Sequence, residues 1–482
     1  MAARYFVPGG TGNWNSTTNW SNTSGGASGF SYPIAGDTVF LDAASGANTL
    51  TVNTTSACTS IDCTGFTGTF AGSSGITISG NVTLDAGMTL TYTGTLTINA
   101  TSTLTSNGIT FNGTLFFNST STTTLADNWN VLNVTVGAFA VTTNNNSIYI
   151  SGSLVFNNGA AQLGTSTLIM NGTGSLSCGT GADVRNNLTF NTSGTITITG
   201  TLKYSTGTLT YTAGTMLVTG STLIINGNCT LNTSSMVWNN FDSFINATVT
   251  LTSDLYFVNL NKTSNTIITF NGNNIYISGN LSVATTGFIF GTTNIILNGT
   301  GTWSGSGVVG NDLTINTSGT VTVSGTVSYR NGTFTYRRGK VIAGTATLNI
   351  AASCTLVNIH KIVFGSVIVL GGQVVTMNEF FSGSANIRTR IASTNTTNYI
   401  ITFQDGFEKV SKFVKLSNAT ITNRGQLLVI TDKANANTAG AVNLGVRYTN
   451  TVPNGISKSN PSANLQACFG IDDGFCAEPL SK

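Results

Sequence analysis

The most constraining feature of this 482-residue sequence is an internal repeat of about 126 residues. Residues 186–231 align without gaps on residues 311–356, and the motif "IYISG" begins at Ile148 and again at Ile275. A period of this length predicts stacked copies of one structural unit. We place two copies at residues 103–229 and 230–354, with a partial third copy at 355–437.

Each copy consists of short apolar alternations such as "TITITGTLKYSTGTLTYT", which are interrupted by Gly, Asn or Ser about every 6–10 residues. This pattern predicts short β-strands joined by tight turns. Two architectures fit it, a β-solenoid with turns of about 20–25 residues or a string of β-sandwiches. Sandwich domains need linkers, but no proline occurs between Pro33 and Pro453, which favours the solenoid.

The composition agrees with a stacked sheet. Only 7% of the residues are charged, against about 25% in ordinary soluble domains. In a parallel stack like charges repel along every column, whereas Thr and Val fit the strands and Asn side chains form ladders. We therefore predict an all-β, right-handed parallel β-solenoid over residues 46–437, with little or no helix.

The two ends of such a solenoid expose unpaired strand edges, which need a cover. Trp14 and Trp20 lie in an otherwise polar segment, "GTGNWNSTTNWSNTSGG", before the repeats begin. We predict that they cap the first turn within an N-terminal capping or attachment segment, residues 1–45. Residues 438–482 are less repetitive and are predicted to be a C-terminal cap or tether.

The seven cysteines do not suggest a disulfide framework. Cys229 and Cys354 occupy the repeat position that is Ser102 in an earlier copy, which predicts small, inward-facing free thiols. The spacings Cys58/Cys63 and Cys468/Cys476 leave disulfides open. Because the chain has one histidine, no metal site is predicted.

A comparison of the two copies identifies a candidate binding site. Residues 203–215, "KYSTGTLTYTAGT", correspond to residues 328–340, "SYRNGTFTYRRGK", in which four small or polar residues have become basic. Such a cluster beside tyrosines suits an anionic glycan or an acidic patch on a neighbouring subunit, although solubilising decoration is the alternative. The candidate binding residues are Tyr329, Arg330, Tyr336, Arg337, Arg338 and Lys340.

No catalytic or cofactor motif is recognisable. Acidic residues are sparse, and we find no phosphate loop, no dinucleotide fingerprint and no activated nucleophile. The net charge of +3 is small, which argues against nucleic acid as a partner, and no apolar run reaches about 18 residues. The N-terminus also lacks the apolar region of a secretory signal. We expect a non-enzymatic protein without cofactors.

The N-terminal segment resembles the leader of many β-helical bacterial surface proteins and of structural proteins of marine and environmental phages. In that leader a G-x-W…N-W element precedes a "P…GD-x-V" strand, and Pro33, Gly36, Asp37, Val39 and Phe40 match the second element. The resemblance covers about 45 residues. It implies a virion-borne or exported rod and says nothing about a substrate.

Together these observations predict a structural rod of a virion, such as a tail fibre, spike or surface decoration, that is made in the host cytoplasm. Its expected partners are further copies of itself, a trimer being one arrangement, other virion proteins and a host-surface glycan. The alternatives are an extracellular bacterial adhesin or filament subunit and a polysaccharide-degrading tailspike.

Overall fold

The structure, a computed structural model, describes residues 2–377 except 138, 139, 219, 235, 285, 360, 361, 371 and 372, and strand positions from 389 to 449. The protein is a parallel β-solenoid of about 16 turns, with 59% strand and 2% helix. The predicted all-β parallel solenoid is therefore confirmed. The chain divides into two compact units, residues 1–239 and 240–482.

The first unit contains two short 3-10 helices among its described residues, Thr17–Asn19 and Ala43–Ser45. Its strands are Ala3–Phe6, Gly12–Asn13, Trp20–Ser21, Thr38–Phe40, Thr49–Val52, Ser56–Cys58, Ser60–Asp62, Thr69–Gly72, Ile76–Ile78, Val82–Thr83, Thr89–Leu90, Thr95–Ile98, Ser102–Thr105, Thr110–Phe117, Thr122–Leu125, Trp129–Val136, Ala140–Asn145, Ile148–Ile150, Leu154–Phe156, Ala161–Gly164, Thr167–Met170, Gly174–Cys178, Asp183–Val184, Asn187–Tyr204, Thr208–Leu217, Thr222–Ile225 and Cys229–Asn232.

The strand Val237–Ser243 contains the boundary between the units. The strands of the second unit are Ala247–Leu251, Leu255–Lys262, Ile267–Gly272, Ile275–Ile277, Leu281–Val283, Phe288–Leu297, Gly301–Ser304, Val308–Ser324, Thr326–Tyr329, Thr333–Ile342, Thr347–Ile350, Cys354–Val357, Ser366–Val369, Val374–Met377, Thr389–Ser393, Tyr399–Phe403, Lys409–Lys412, Val414–Leu416, Ala419–Thr422, Leu427–Ile430, Val442–Asn443 and Val446–Thr449. No helix in the described part of the chain has the length and apolar character needed to span a membrane.

Strands pair in parallel with the strands of the preceding and following turns, about 20 residues away. Leu96, for example, pairs with Ile76 on one side and with Leu115 on the other. Alternate side chains point inward, so Leu96 and Ile98 are buried while Thr95 and Thr97 lie on the outer surface. The interior is thus a set of apolar columns, and its aromatic residues stack: the rings of Phe70, Tyr92 and Phe111 follow one another at centroid distances of 5.3 and 5.8 Å.

Asparagine side chains lock the register between turns. The Oδ1 atom of Asn81 accepts a hydrogen bond from the backbone N–H of Thr103, one turn further on, at 2.8 Å. In the second unit the Oδ1 atoms of Asn259 and Asn280 accept in the same way from the turns that follow them, each at 2.9 Å. This bonding gives many of the asparagines a structural role, because Asn81, Asn259 and Asn280 each satisfy a backbone donor of the next turn.

The N-terminal segment contributes the first strands of the solenoid sheet. The strand Trp20–Ser21 pairs antiparallel with Ala3–Phe6, which in turn pairs in parallel with Thr38–Phe40. The solenoid sheet therefore begins inside the predicted capping segment, at its first strand. The predicted capping segment, residues 1–45, therefore also builds part of the first turn.

The cysteine interpretation is confirmed for the described residues. Cys229 and Cys354 are free and buried, as predicted, and Ser102 at the corresponding position is buried too. Cys58 and Cys63 are also free and buried rather than joined in a disulfide. The Cys468/Cys476 pair lies outside the described residues.

Parallel pairing continues beyond the predicted end of the solenoid at residue 437. The strand Val442–Asn443 pairs in parallel with Ala419–Thr422, and Val446–Thr449 pairs in parallel with Leu427–Ile430. Apart from these two strands, the predicted C-terminal cap or tether, residues 438–482, lies outside the described residues.

Candidate anion-binding corner

Four of the six predicted binding residues lie on one strand of the second unit, Thr333–Ile342. Its first half enters the core through Phe334, which is fully buried. Its second half turns a corner of the solenoid, where Arg337, Arg338 and Lys340 are exposed and Tyr336 is half-buried. We call Arg337, Arg338 and Lys340 the basic corner. The structure thus brings together three cations within four consecutive positions on the surface.

The corner has a defined backbone. Gly339 has a φ of 115°, a conformation that side-chain-bearing residues rarely adopt, and the Tyr336 hydroxyl donates a hydrogen bond to its carbonyl oxygen at 2.6 Å. In the preceding turn, Asn316 pairs with Arg338, and its Oδ1 atom accepts a hydrogen bond from the Arg338 Nε atom at 2.9 Å. This contact occupies one of the five guanidinium N–H donors and leaves the others for a ligand.

Among the described residues, no ion pair neutralises the basic corner. The two ion pairs found among the described residues, Arg4–Asp37 and Arg185–Asp183, both lie in the first unit. Asp312, in the turn below, accepts a hydrogen bond from the backbone N–H of Thr333. Exposed cations without an ion-pair partner in the described part of the chain create a positive surface that suits an anionic group.

The first unit contains the same corner without the charges. There the Tyr211 hydroxyl donates to the Gly214 carbonyl oxygen at 2.6 Å, and Gly214 has a φ of 118°. Ala213 and Thr215 pair with the preceding turn through the same two register shifts as Arg338 and Lys340. The backbone of the corner is therefore kept between the two units, and the difference is confined to the side chains that it presents.

Tyr329 does not belong to this surface, which corrects the sequence-based prediction. Its side chain is fully buried, its ring lies 5.5 Å from that of Phe334, and its hydroxyl donates to the carbonyl oxygen of Asn311 at 3.0 Å. Burial also raises the pKa of the Tyr329 hydroxyl, so it remains protonated. Tyr329 stands in the inward column of Val309 and Ile350, its partners in the neighbouring turns.

Arg330 is also separate from the basic corner. It follows Tyr329 at the preceding corner, so the length of one solenoid face lies between it and Arg337. Its guanidinium carbon lies 4.5 Å from the centre of the Phe290 ring, a cation–π contact within the chain. The half-buried Arg330 is therefore engaged by its own unit.

The sequence comparison missed Asn316, the residue that holds Arg338. Asn316 belongs to the motif "NTSGT", which is repeated at Asn191 in the first unit, where the residue opposite is Ala213. The motif was visible, but nothing in the sequence showed that its asparagine faces the arginine one turn later.

The predicted capping residues, Trp14 and Trp20, lie next to the first strand of the sheet. Trp14 and Trp20 are both fully buried and meet edge to face, with ring centroids 5.5 Å apart. The Trp20 indole N–H donates to the Trp14 carbonyl oxygen at 2.8 Å, and the Trp20 ring lies 5.7 Å from that of Phe6 in the first strand. This placement is the one that a cap requires, and the capping role itself stays a prediction.

In the part of the chain that the structure describes, no group of three or more His, Cys, Asp or Glu side chains is arranged to hold a metal ion. The chain matches no protein-family model, no curated protein and no solved structure.

Proposed function

We propose that this chain is a non-enzymatic structural protein of a virion that attaches to an anionic glycan of the host surface through the basic corner. The observation that carries the proposal is the matched pair of corners. Both units keep the same glycine, the same tyrosine hydrogen bond and the same register, and only the second presents Arg337, Arg338 and Lys340. Because the backbone of the corner is the same without these three charges, the charges are not needed for folding. We infer that they serve recognition.

The regular parallel solenoid supports the structural part of the proposal, because stacked turns create an extended surface that suits attachment. The virion assignment rests on the resemblance of the N-terminal leader to those of phage structural proteins. The same features fit a bacterial surface adhesin, which is the second candidate.

Binding to sulfated polysaccharide tests the attachment. We expect the protein to bind immobilised heparin but not neutral dextran, and to do so more weakly at high salt, which screens exposed charges. Each exposed ion pair contributes up to about 1 kcal/mol. The variant Arg337→Ala/Arg338→Ala/Lys340→Ala should therefore bind about ten- to a hundredfold more weakly, with little change in melting temperature.

The first unit supplies a gain-of-function control. Introducing Thr212→Arg, Ala213→Arg and Thr215→Lys into the triple alanine variant rebuilds the basic corner on the matched backbone and should restore binding. Unchanged heparin binding by the alanine variant would reject the basic corner as the attachment site. Binding to an acidic protein but to no glycan would make a partner subunit the ligand.

Localisation tests the virion assignment separately. Labelling particles and cells of the source with an antibody to this protein should place it on capsids or tails. Labelling confined to a cell envelope or to free filaments would reject the virion assignment and favour the adhesin.

A further inference from the structure

Each unit contains the same polar column at one corner of the solenoid. In the second unit, Thr293, Asn311, Gly332 and Cys354 follow one another in register over four successive turns. In the first unit the corresponding column has the same sequence of residue types, with serine in place of threonine: Ser166, Asn186, Gly207 and Cys229. The column is thus kept in both units, like the backbone of the basic corner.

The column asparagines make the same hydrogen bonds in both units. The Asn311 Nδ2 atom donates to the Thr293 carbonyl oxygen at 3.0 Å, and the Tyr329 hydroxyl donates to the Asn311 carbonyl oxygen. Asn186 donates to the Ser166 carbonyl oxygen, also at 3.0 Å. The Nδ2 atom of each asparagine faces a carbonyl oxygen, which fixes the orientation of the side-chain amide. Rotating the amide by half a turn would place its Oδ1 atom against that carbonyl oxygen.

The same two atoms are left over in both units. The Oδ1 atom of Asn311 and the Oγ1 atom of Thr293 are buried and have no hydrogen-bond partner among the described residues. The Oδ1 atom of Asn186 and the Oγ atom of Ser166 share this condition. All four residues are at most 1% exposed. Buried polar groups without a partner are rare in folded proteins, and here the same pair occurs twice at equivalent positions.

The chemistry of the two atoms selects the ligand. An amide oxygen only accepts hydrogen bonds, whereas a hydroxyl both donates and accepts. The ligand must therefore be a hydrogen-bond donor or a cation, which excludes an anion, and must be small enough for a packed corner. Water meets both requirements, and buried waters typically bridge polar groups of this kind.

We propose that each unit binds one structural water molecule, which donates a hydrogen bond to the column asparagine Oδ1 atom and forms a second bond with the neighbouring hydroxyl. The two sites are Asn186 with Ser166 and Asn311 with Thr293. The water completes the corner from which Thr208–Leu217 and Thr333–Ile342 start, so it stabilises the strand that carries the basic corner. The proposal of a bound water does not depend on the proposed attachment to a glycan.

A high-resolution crystal structure of the full chain tests the proposal directly. We expect one solvent peak in each unit within about 2.7–3.2 Å of both the asparagine Oδ1 atom and the hydroxyl oxygen. Direct bonding of these atoms to other protein groups, without a solvent peak, would overturn the proposal. A peak surrounded by five or more oxygen atoms at metal distances would also overturn it, by identifying a cation.

A double-mutant cycle tests the proposal in solution. Thr293→Val is isosteric and removes only the hydroxyl, so it should lower the melting temperature by about 2–4 °C. In an Asn311→Ala background the amide oxygen is already absent, and the same change should cost less than half as much. Equal shifts in the two backgrounds would show that the hydroxyl and the amide are not linked through a shared water. If Asn311→Ala does not fold, the crystal structure of the native chain decides.

Discussion

At the scale of single residues, the Tyr336 hydroxyl positions the basic corner without carrying charge. Its hydrogen bond to the Gly339 carbonyl oxygen fixes the bend between Arg338 and Lys340. We predict that Tyr336→Phe weakens heparin binding about two- to tenfold, because one hydrogen bond contributes about 0.5–1.5 kcal/mol and the cations lose their fixed geometry. Titration calorimetry with a heparin oligosaccharide measures the change.

The matched residue of the first unit is the control for this variant. Tyr211→Phe removes the same hydrogen bond, to Gly214, from a corner without cations. It should leave heparin binding unchanged while altering stability to a similar extent. If both variants weaken binding equally, the effect is a general loss of order and Tyr336 has no positioning role.

The buried thiols make stability depend on pH in the alkaline range. Burial raises the pKa of Cys229 and of Cys354 from 9.0 to about 12. Above pH 9.0 the unfolded chain loses these protons while the folded chain keeps them, so the free energy of unfolding falls as the pH rises. Each thiol contributes a slope of about 1.4 kcal/mol per pH unit between pH 9.0 and about 12.

Cys229→Ser with Cys354→Ser should remove these two contributions and make the alkaline decline shallower. Serine suits the position, because Ser102 occupies it in an earlier turn and is itself buried. Urea unfolding at several pH values from 8 to 11 measures the slope. An unchanged slope would show that the two thiols ionise as easily in the folded chain as in the unfolded chain.

The prediction that Tyr329 lies on the binding surface was wrong, because a pattern within one strand does not show which side chains face inward beyond a corner. Within a strand, alternate residues share a face, and this rule places Phe334 in the core. Tyr329 and Phe334 are both buried although five positions separate them, because the corner between them includes Asn331 with a φ of 62° and resets the alternation. The substitutions at Arg337, Arg338 and Lys340 could be found from the sequence because they changed side chains without changing the backbone.

At the scale of elements, the predicted N-terminal cap depends on its two tryptophans. Trp14 and Trp20 are fully buried, and Trp20 lies on a strand that pairs with the first strand, Ala3–Phe6. The first strand also pairs with Thr38–Phe40. We predict that Trp14→Ala with Trp20→Ala raises amide hydrogen exchange in these two strands first. Replacing a buried tryptophan by alanine costs about 3–5 kcal/mol, which in a solenoid is felt mainly by adjacent turns.

Trp129→Ala provides the comparison for the capping variant. Trp129 is also buried but lies several turns further along the first unit, where its strand pairs with Thr110–Phe117 and Ile148–Ile150. Its replacement should raise exchange in those strands and leave the first strand protected. Uniform loss of protection along the chain in the Trp14/Trp20 variant would argue against a cap.

Strand boundaries were harder to predict than strand existence. The glycines of "NTSGTITITG" indicate breaks, yet Asn187–Tyr204 is a single strand that runs through them. The Thr192 hydroxyl accepts a hydrogen bond from the Gly194 N–H, and the register with the next turn shifts on either side of Asn191. The corner is therefore made inside one strand whose pairing register shifts, so the turn signal in the sequence does not mark the end of the strand.

At the scale of the whole molecule, the visible repeat and the structural repeat have different lengths. Sequence identity returns after about 126 residues, whereas strands pair with partners about 20 residues away. Within a single turn only the alternation of polar and apolar residues recurs. The predicted turn length of 20–25 residues therefore came from the spacing of strands and not from the sequence repeat. A function cannot be read from such a pattern, because every turn satisfies it equally.

If one solenoid turn is the unit of folding, the chain should tolerate the deletion of one whole turn. Ile148 pairs with Trp129 in the turn before it and with Leu168 in the turn after it. Deleting residues 148–167 therefore removes one turn and brings Leu168 beside Trp129, in an apolar column that accepts either. We expect this variant to melt in one cooperative transition, with a melting temperature lowered by about 5 °C or less.

Deleting residues 158–167 is the matched control, because it removes half a turn. Leu168 then follows Asn157 directly, and its strand falls on a different face of the solenoid, where its inward and outward side chains no longer match the neighbouring columns. This variant should lose its cooperative transition when followed by far-ultraviolet circular dichroism. If the half-turn deletion melts like the full-turn deletion, stability does not depend on the register of the columns, and the turn is not the unit in which this chain folds.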